Sequence, residues 1–299
     1  MPELPDVVVY LEALERHVVG HAIEAIEVRG ISALRSFDPP VDAARGRTVV
    51  GTRRLGKRLV LDLGDELYLV IHLMIAGRLY WRPAAAKIPA KVGVAAIRFA
   101  HGTLVLQEAA SKKRARLWLV AGREALEHEH DRGGAEPLEI DRATFEARLT
   151  ETNRTLKRAL TNPVTFSGIG NAYSDEILLA AKLSPVKRTG QLDADELDRL
   201  YAATRETLTT WLDRLRAEVG DGWPEKVTAF RPDMAVHGRF GEPCPVCGTK
   251  VQRIVYAENE VNYCPQCQTE GRVLADRSLS RLLKEDWPRT VEELEGFRN

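Results

Sequence analysis

Four cysteines are the sharpest chemical signal in this chain. Cys244-Pro-Val-Cys247 and Cys264-Pro-Gln-Cys267 form two C-x-x-C pairs, with residues 248–263 between them. Each pair can place two thiolates on one tetrahedral ion, and a span of that length suits a β-hairpin. A redox dithiol is the competing reading. Two matched pairs, with Gly248 directly after one of them, favour metal instead. A site closed by four thiolates leaves no position for substrate, so the expected cofactor is one structural zinc ion.

A second kind of chemistry is written in basic clusters. Arg53-Arg54 with Lys57-Arg58, Lys112-Lys113-Arg114 with Arg116, and Lys157-Arg158 stand out from a chain of 43 basic and 43 acidic residues. Zero net charge argues against a uniformly basic nucleic-acid coat, but each cluster is suited to phosphate. A solvated face is the bland reading of any one cluster alone. More specific is the run Thr155–Leu160, followed by Phe166-Ser-Gly-Ile-Gly-Asn171 and Ala172–Leu178. There a helix breaks into a glycine-bearing turn, with Asn171 at the N-terminus of the next helix. Free backbone amides and the positive end of the helix dipole make such a turn a seat for phosphate, and Asn171 could equally be a plain N-cap.

These groups need elements to hold them. At 299 residues, with 44% hydrophobic and 29% charged residues, the chain has the composition of a soluble globular protein with room for two domains. No apolar run approaches the roughly 18 residues that would span a bilayer. The acidic, proline-rich start lacks the character of a signal peptide, so a cytoplasmic protein is expected. Val7–Val19 carries apolar residues at helical spacing. Short strand-like runs follow at 22–28, 48–52, 58–63, 67–73, 77–81, 95–99 and 104–106, which suggests a sandwich or barrel. Residues 131–137 read as a hinge. Beyond it the pattern turns helical, at 142–149, 155–161, 172–181 and 194–218. The expected organisation is a β-rich region over 1–130, a helical region over 137–235, a zinc finger over 236–270 and an extension over 271–299, with a helix at Ser278–Lys284.

In combination these features resemble the formamidopyrimidine-DNA glycosylase/endonuclease VIII family of DNA glycosylase/AP lyases, over nearly the whole length. The residues that carry the resemblance are Pro2-Glu-Leu-Pro-Asp6, Gly56-Lys57, Ile71-His72-Leu73 with Gly77, Leu156-Lys157, Gly168-Ile-Gly-Asn171, and Gly241-Glu-Pro-Cys244 leading into the four cysteines. The resemblance implies a multidomain α+β fold: an N-terminal β-sandwich, a helical domain with a helix–two-turn–helix element, and a C-terminal four-cysteine β-hairpin zinc finger. It implies that removal of Met1 exposes the Pro2 amine as a nucleophile at the sugar C1′, with Glu3 as general acid/base and Lys57 holding phosphate or assisting proton transfer. It further implies His72, Lys113, Lys157 and Asn171 as DNA contacts, damaged DNA as the partner, a monomer, and a location on the nucleoid when bound.

Three departures from the family pattern stand out. Asn259, within Ala257-Glu-Asn-Glu260, stands where the family's finger carries a phosphate-gripping arginine. Ile75, Lys113 and Ala115 stand where guanine-lesion members fill the space of the flipped base with Met, Arg and Phe. This implies altered opposite-base discrimination and a shift toward single-stranded or bubble DNA. Residues also continue beyond the finger, and Trp287 with the Ser278–Lys284 helix is expected to pack back on the helical domain. The alternative function is a non-catalytic DNA-binding protein on the same scaffold. A pure binder has no need of Pro2, Glu3 and Lys57 together.

Overall fold

The computed structural model describes residues 1–30, 32–228, 231–256, 259–275 and 288–296. Contacts divide the chain into two units, Met1–Gly133 with Thr210–Ala229, and Gly134–Thr209 with Phe230–Asn299.

The first unit begins with helix α1 (Leu4–Val18). It starts three residues before the apolar spacing predicts, because a reciprocal capping box fixes the first turn. The Glu3 side chain accepts from the Asp6 amide, and the Glu3 N–H donates to Asp6 Oδ2 at 2.9 Å. Pro5, which needs no intrahelical donor there, fits the same turn. Val7, Tyr10, Leu14 and Val18 then form one buried stripe. Val9, on the other side, packs with Leu212 and Leu215.

Eight strands follow: β1 (Ala25–Val28), β2 (Gly51–Leu55), β3 (Arg58–Asp62), β4 (Leu67–His72), β5 (Gly77–Arg82), β6 (Gly93–Phe99), β7 (Gly102–Glu108) and β8 (Arg116–Ala121). They pair antiparallel into two four-stranded sheets, ordered β1-β6-β7-β5 and β2-β3-β4-β8. Leu59, Leu61, Leu69, Ile71, Leu117 and Leu119 of the second sheet share one core with Leu79, Ile97, Phe99, Leu104 and Leu106 of the first. That is the face-to-face packing of a sandwich. The outer residues of the second sheet, Val60, Tyr68, Val70 and Val120, are covered by Leu126 of helix α2 (Arg123–His130).

The second unit holds α3 (Arg142–Thr150), α4 (Leu156–Leu160), α5 (Asn171–Ala180) and the start of α6 (Ala194–Val219), whose second half belongs by its contacts to the first unit. Phe145 stacks on Phe166 at 4.7 Å and meets Tyr201 edge-on at 5.5 Å. The finger is a hairpin of β9 (Gln252–Tyr256) and β10 (Asn259–Tyr263) followed by α7 (Pro265–Thr269), and a last helix α8 covers Val291–Gly296. At the start of the extension, Leu274 packs on Ile254, Val261 and Tyr263 of the hairpin, and its N–H donates to the Tyr263 hydroxyl at 2.7 Å. The expected Ser278–Lys284 helix and Trp287 lie outside the described residues.

Candidate active site and nucleic-acid contacts

Folding gathers charge around the N-terminus. Pro2 is buried and Glu3 is 2% exposed. Burial lowers the pKa of the Met1 amine below its ordinary value. Glu3 and Asp6 pull it up, while Arg78 and Lys57 push it down. The amine therefore stands within electrostatic reach of Glu3 and Lys57, two residues widely separated in sequence.

Two glycine turns deliver the cations. Gly56 sits at φ +59°, which lets the β2–β3 turn close tightly and present Lys57. At Gly77 a Cβ would lie 2.3 Å from the carbonyl oxygen of Leu73, so only glycine allows the turn that enters β5 and places Arg78. The Tyr10 hydroxyl accepts the Leu79 N–H at 3.3 Å, tying the strand that carries Arg78 to the helix that carries Glu3. Sequence reasoning singled out Gly77 and passed over Arg78. The signal available was a cation directly after an obligatory glycine.

His72 ends β4 and sits in one cross-strand row with Arg58 of β3 and Arg116 of β8. Burial, then Arg58, Lys57 and His130, push its pKa down to about 3, so the ring is neutral at pH 7 and offers a phosphate one N–H donor.

Lys113 lies in the β7–β8 loop, which is curled onto one buried carboxylate. Glu108 is 1% exposed, and its Oε2 accepts the Arg114 and Ala115 amides at 2.6 and 2.8 Å. Lys113 Nζ donates back to the carbonyls of Glu108 and Ala110. Ala115 is fully buried, whereas Ile75, in the turn before Gly77, is 51% exposed. Of the three residues at the gap-filling positions, Ile75 alone is an apolar side chain open to solvent.

In the second unit, α5 is capped by Gly170, with Asn171 as its first helical residue. This replaces the reading of Asn171 as N-cap. The Asn171 side chain instead donates to the Glu260 carbonyl of β10 at 2.7 Å, fastening the helix start to the finger. Lys157 is 7% exposed, and its ammonium donates to the Asn171 carbonyl at 2.7 Å and to the Asp175 carboxylate. Asp175 is fully buried and also meets His237 Nδ1 at 2.8 Å and Asn262 Nδ2 at 3.4 Å. Glu260, one of the acidic residues beside Asn259, is 3.5 Å from Arg253 and accepts from Asn262.

The four thiols converge, with every sulfur within 4.8 Å of the others. Cys247 and Cys264 stand 3.4 Å apart, beyond disulfide length. Burial and the neighbouring sulfurs push Cys267 up to about 11. Thiols so crowded ionise together only against a cation, and the donor set fits one tetrahedral zinc held by Cys244, Cys247, Cys264 and Cys267. Cys244 and Cys264 share a buried cluster with Leu179, Val236 and Val251, so the metal would be bonded into the packing of the finger against α5.

Models of three parts of one family match this chain in order. They are the formamidopyrimidine-DNA glycosylase N-terminal domain over residues 1–124, its helix–two-turn–helix domain over 134–218, and the zinc finger found in FPG and IleRS over 241–269. The formamidopyrimidine-DNA glycosylase of Desulfitobacterium hafniense is 31% identical over 283 residues, covering 90% of this chain and all of that protein. A formamidopyrimidine-DNA glycosylase-like protein of Mycobacterium tuberculosis is 40% identical over 151 residues, half of this chain and 94% of its own length. Among solved structures, Lactococcus lactis Fpg in complex with DNA containing an abasic site superposes with a TM-score of 0.77 at 27% identity, covering 89% of this chain and 99% of that one. With each of its parts matched and a full-length relative above 30% identity, this chain belongs to the formamidopyrimidine-DNA glycosylase family.

Proposed function

We propose that this protein is a base-excision repair enzyme, a DNA glycosylase acting on oxidised or ring-opened bases, which also cleaves at abasic sites. The observation that carries the reading is that the Met1 amine, one residue before Pro2, is buried within electrostatic reach of Glu3, Lys57 and Arg78. After removal of Met1, the lone pair of the Pro2 nitrogen forms a bond to the sugar C1′. The bond from C1′ to the base breaks, and the base leaves with that electron pair and a proton. Opening of the sugar ring gives an iminium at C1′, with Glu3 supplying the proton to the ring oxygen. The iminium acidifies the C2′ proton. Its loss expels the 3′ phosphate and breaks the strand.

The environment suits each role. An α-amino group is partly free at neutral pH by its ordinary pKa of roughly 7.7–8.0, and the burial and cations that lower the Met1 amine lie one residue away. Lys57, a point charge on a flexible stem, would hold the flanking phosphate, with neutral His72 donating beside it. Asn171 and Lys157 would act mainly by setting the turn before α5, since both are already hydrogen-bonded within the unit. The DNA-bound neighbour supports a damaged-strand partner. No helix among the described residues is long and apolar enough to cross a membrane. We place the protein in the cytoplasm, on the nucleoid when bound.

Borohydride trapping on an oligonucleotide with an abasic site tests the chemistry. Protein lacking Met1 should form a covalent adduct, and protein retaining Met1 should form none. An adduct of equal yield from the blocked form would sink the Pro2 assignment.

A further inference from the structure

A cluster of cationic and imidazole groups lies on the outer face of the β2-β3-β4-β8 sheet, beyond the apolar patch that α2 covers. Strand register sets Arg58, His72 and Arg116 side by side on three neighbouring strands, with side chains on one face. Trp118, two residues along β8 on that face, holds the His130 ring edge-on at 4.9 Å. His130 closes α2, and its carbonyl accepts Arg58 Nη1 at 3.1 Å.

What sets this cluster apart is missing partners. His130 is 2% exposed, and neither ring nitrogen has a hydrogen-bond partner among the described residues. The nearest carboxylate, on exposed Glu129, is 3.7 Å from Nε2, beyond hydrogen-bond reach. Asp131 is turned to the Gly133 amide at 2.8 Å. Arg58 Nε is also buried without a partner among the described residues. The other charged groups that bear on the cluster, Lys57 and Arg132, are positive as well. The negative end of α2 accounts for one nitrogen of Arg58 and for neither nitrogen of His130. Arginine donors beside imidazoles that have no partner, with further cations around them, suit a tetrahedral oxyanion.

We propose that Arg58, Arg116 and His130 form a binding site for a backbone phosphate of nucleic acid, additional to the phosphate assigned to Lys57 and His72. The inference rests on the reading of the protein as a nucleic-acid binder, and its core is Arg58 with His130. Burial and Arg58 hold His130 down to about 4. A phosphate drawn into the cluster favours the protonated ring, so binding takes up protons and tightens as pH falls from 7.5 toward 5.5.

Two measurements on the full-length zinc-loaded protein test this. In the first, inorganic phosphate is the probe and the His130 imidazole NMR signals, assigned with His130→Gln, are the readout. Saturable movement in the wild type, lost in Arg58→Gln and partly kept in Arg58→Lys, is expected. Signals that stay fixed to high phosphate in a folded wild type overturn the site. In the second, affinity for an oligonucleotide with an abasic analogue is measured against salt. Losing one phosphate contact should lower the log–log slope by about 0.9 on duplex, or about 0.7 on single strands, in both Arg58→Gln and His130→Gln. Unchanged slopes in folded variants overturn the proposal. Wild-type trapping judges the enzyme separately. Phosphate-dependent shifts without an adduct would keep this site while removing the glycosylase reading.

Discussion

The two units treat their buried basic groups in opposite ways. In the second, Lys157 finds Asp175, which in turn is shared with His237 and Asn262. In the first, Arg58, His72 and His130 are packed together with no carboxylate within hydrogen-bond reach among the described residues. A buried cation whose acid is internal is part of the fold, and removing the acid strands it. Arg58 has no acid in reach, and the two imidazoles beside it are held neutral, so an arriving phosphate can satisfy a need the fold leaves unmet. The family resemblance assigns Lys157 and His72 the same role toward DNA, but their surroundings separate them.

The sharpest way to expose the difference is to take away the metal. Zinc on four thiolates contributes an apparent ~10–16 kcal/mol in isolated fingers. Here the thiolates pack with Leu179, Val236 and Val251, so chelation should unfold the hairpin and loosen α5. The sandwich has no metal-ligating cluster among its described residues and should hold. Hydrogen exchange after chelation should show lost protection over β9, β10 and α5, with β3, β4 and β7 unchanged. Equal loss in both units would break the comparison.

Next in size is Asp175→Ala, which leaves the buried Lys157 ammonium with the Asn171 carbonyl and no acid, and should cost about 3–5 kcal/mol in urea unfolding. Arg58→Gln, which removes a cation that has no acid, should cost about 1 kcal/mol or less. Comparable losses from the two would mean that Arg58 is as structural as Lys157.

Acid gives the third test. His72 and His130 have folded pKa values, about 3 and about 4, below the ordinary 6.5. The unfolded chain therefore binds more protons between those values and 6.5, and stability falls as pH drops through that window. Each ring contributes a slope of at most ~1.4 kcal/mol per pH unit. The sandwich should lose stability steadily from pH 6.5 to 4, and His130→Gln should flatten the decline. A flat profile over that range in the wild type would show that the imidazoles are not buried neutral.

Much of this was readable in the chain. The finger is a matter of local spacing, and the sandwich strands follow from short apolar runs between turn residues. Strand β8 was missed because it opens inside a basic cluster that reads as a phosphate contact. Helix α2, Arg-Glu-Ala-Leu-Glu-His-Glu-His, was missed because it buries only Leu126 and His130 and shows no apolar stripe. The row of Arg58, His72 and Arg116 could not be read at all. It depends on the register of three strands, and register is set by the whole sheet. The same holds for the convergence of Glu3, Lys57 and Arg78, where sequence supplied Glu3 through resemblance, Lys57 through resemblance and its basic cluster, and Arg78 not at all.

The smallest expected effect concerns the tip before β5. Lys113 is tied back to carbonyls and Ala115 is sealed in the core, so of the three positions to which the resemblance assigns gap filling, Ile75 alone is an apolar side chain open to solvent. Truncating it removes contacts that exist only in duplex, where an orphaned base faces the gap. Ile75→Ala should therefore weaken binding to an abasic analogue in duplex by about 1 kcal/mol, roughly fivefold, from the apolar area lost. Binding to the same analogue in a single strand should hold, and so should folding stability, within about 0.5 kcal/mol, because the side chain is exposed. Equal weakening on both substrates would place Ile75 against the damaged strand itself. No weakening on either would mean that the chain leaves the gap unfilled, and the duplex penalty should then already be visible in the wild type.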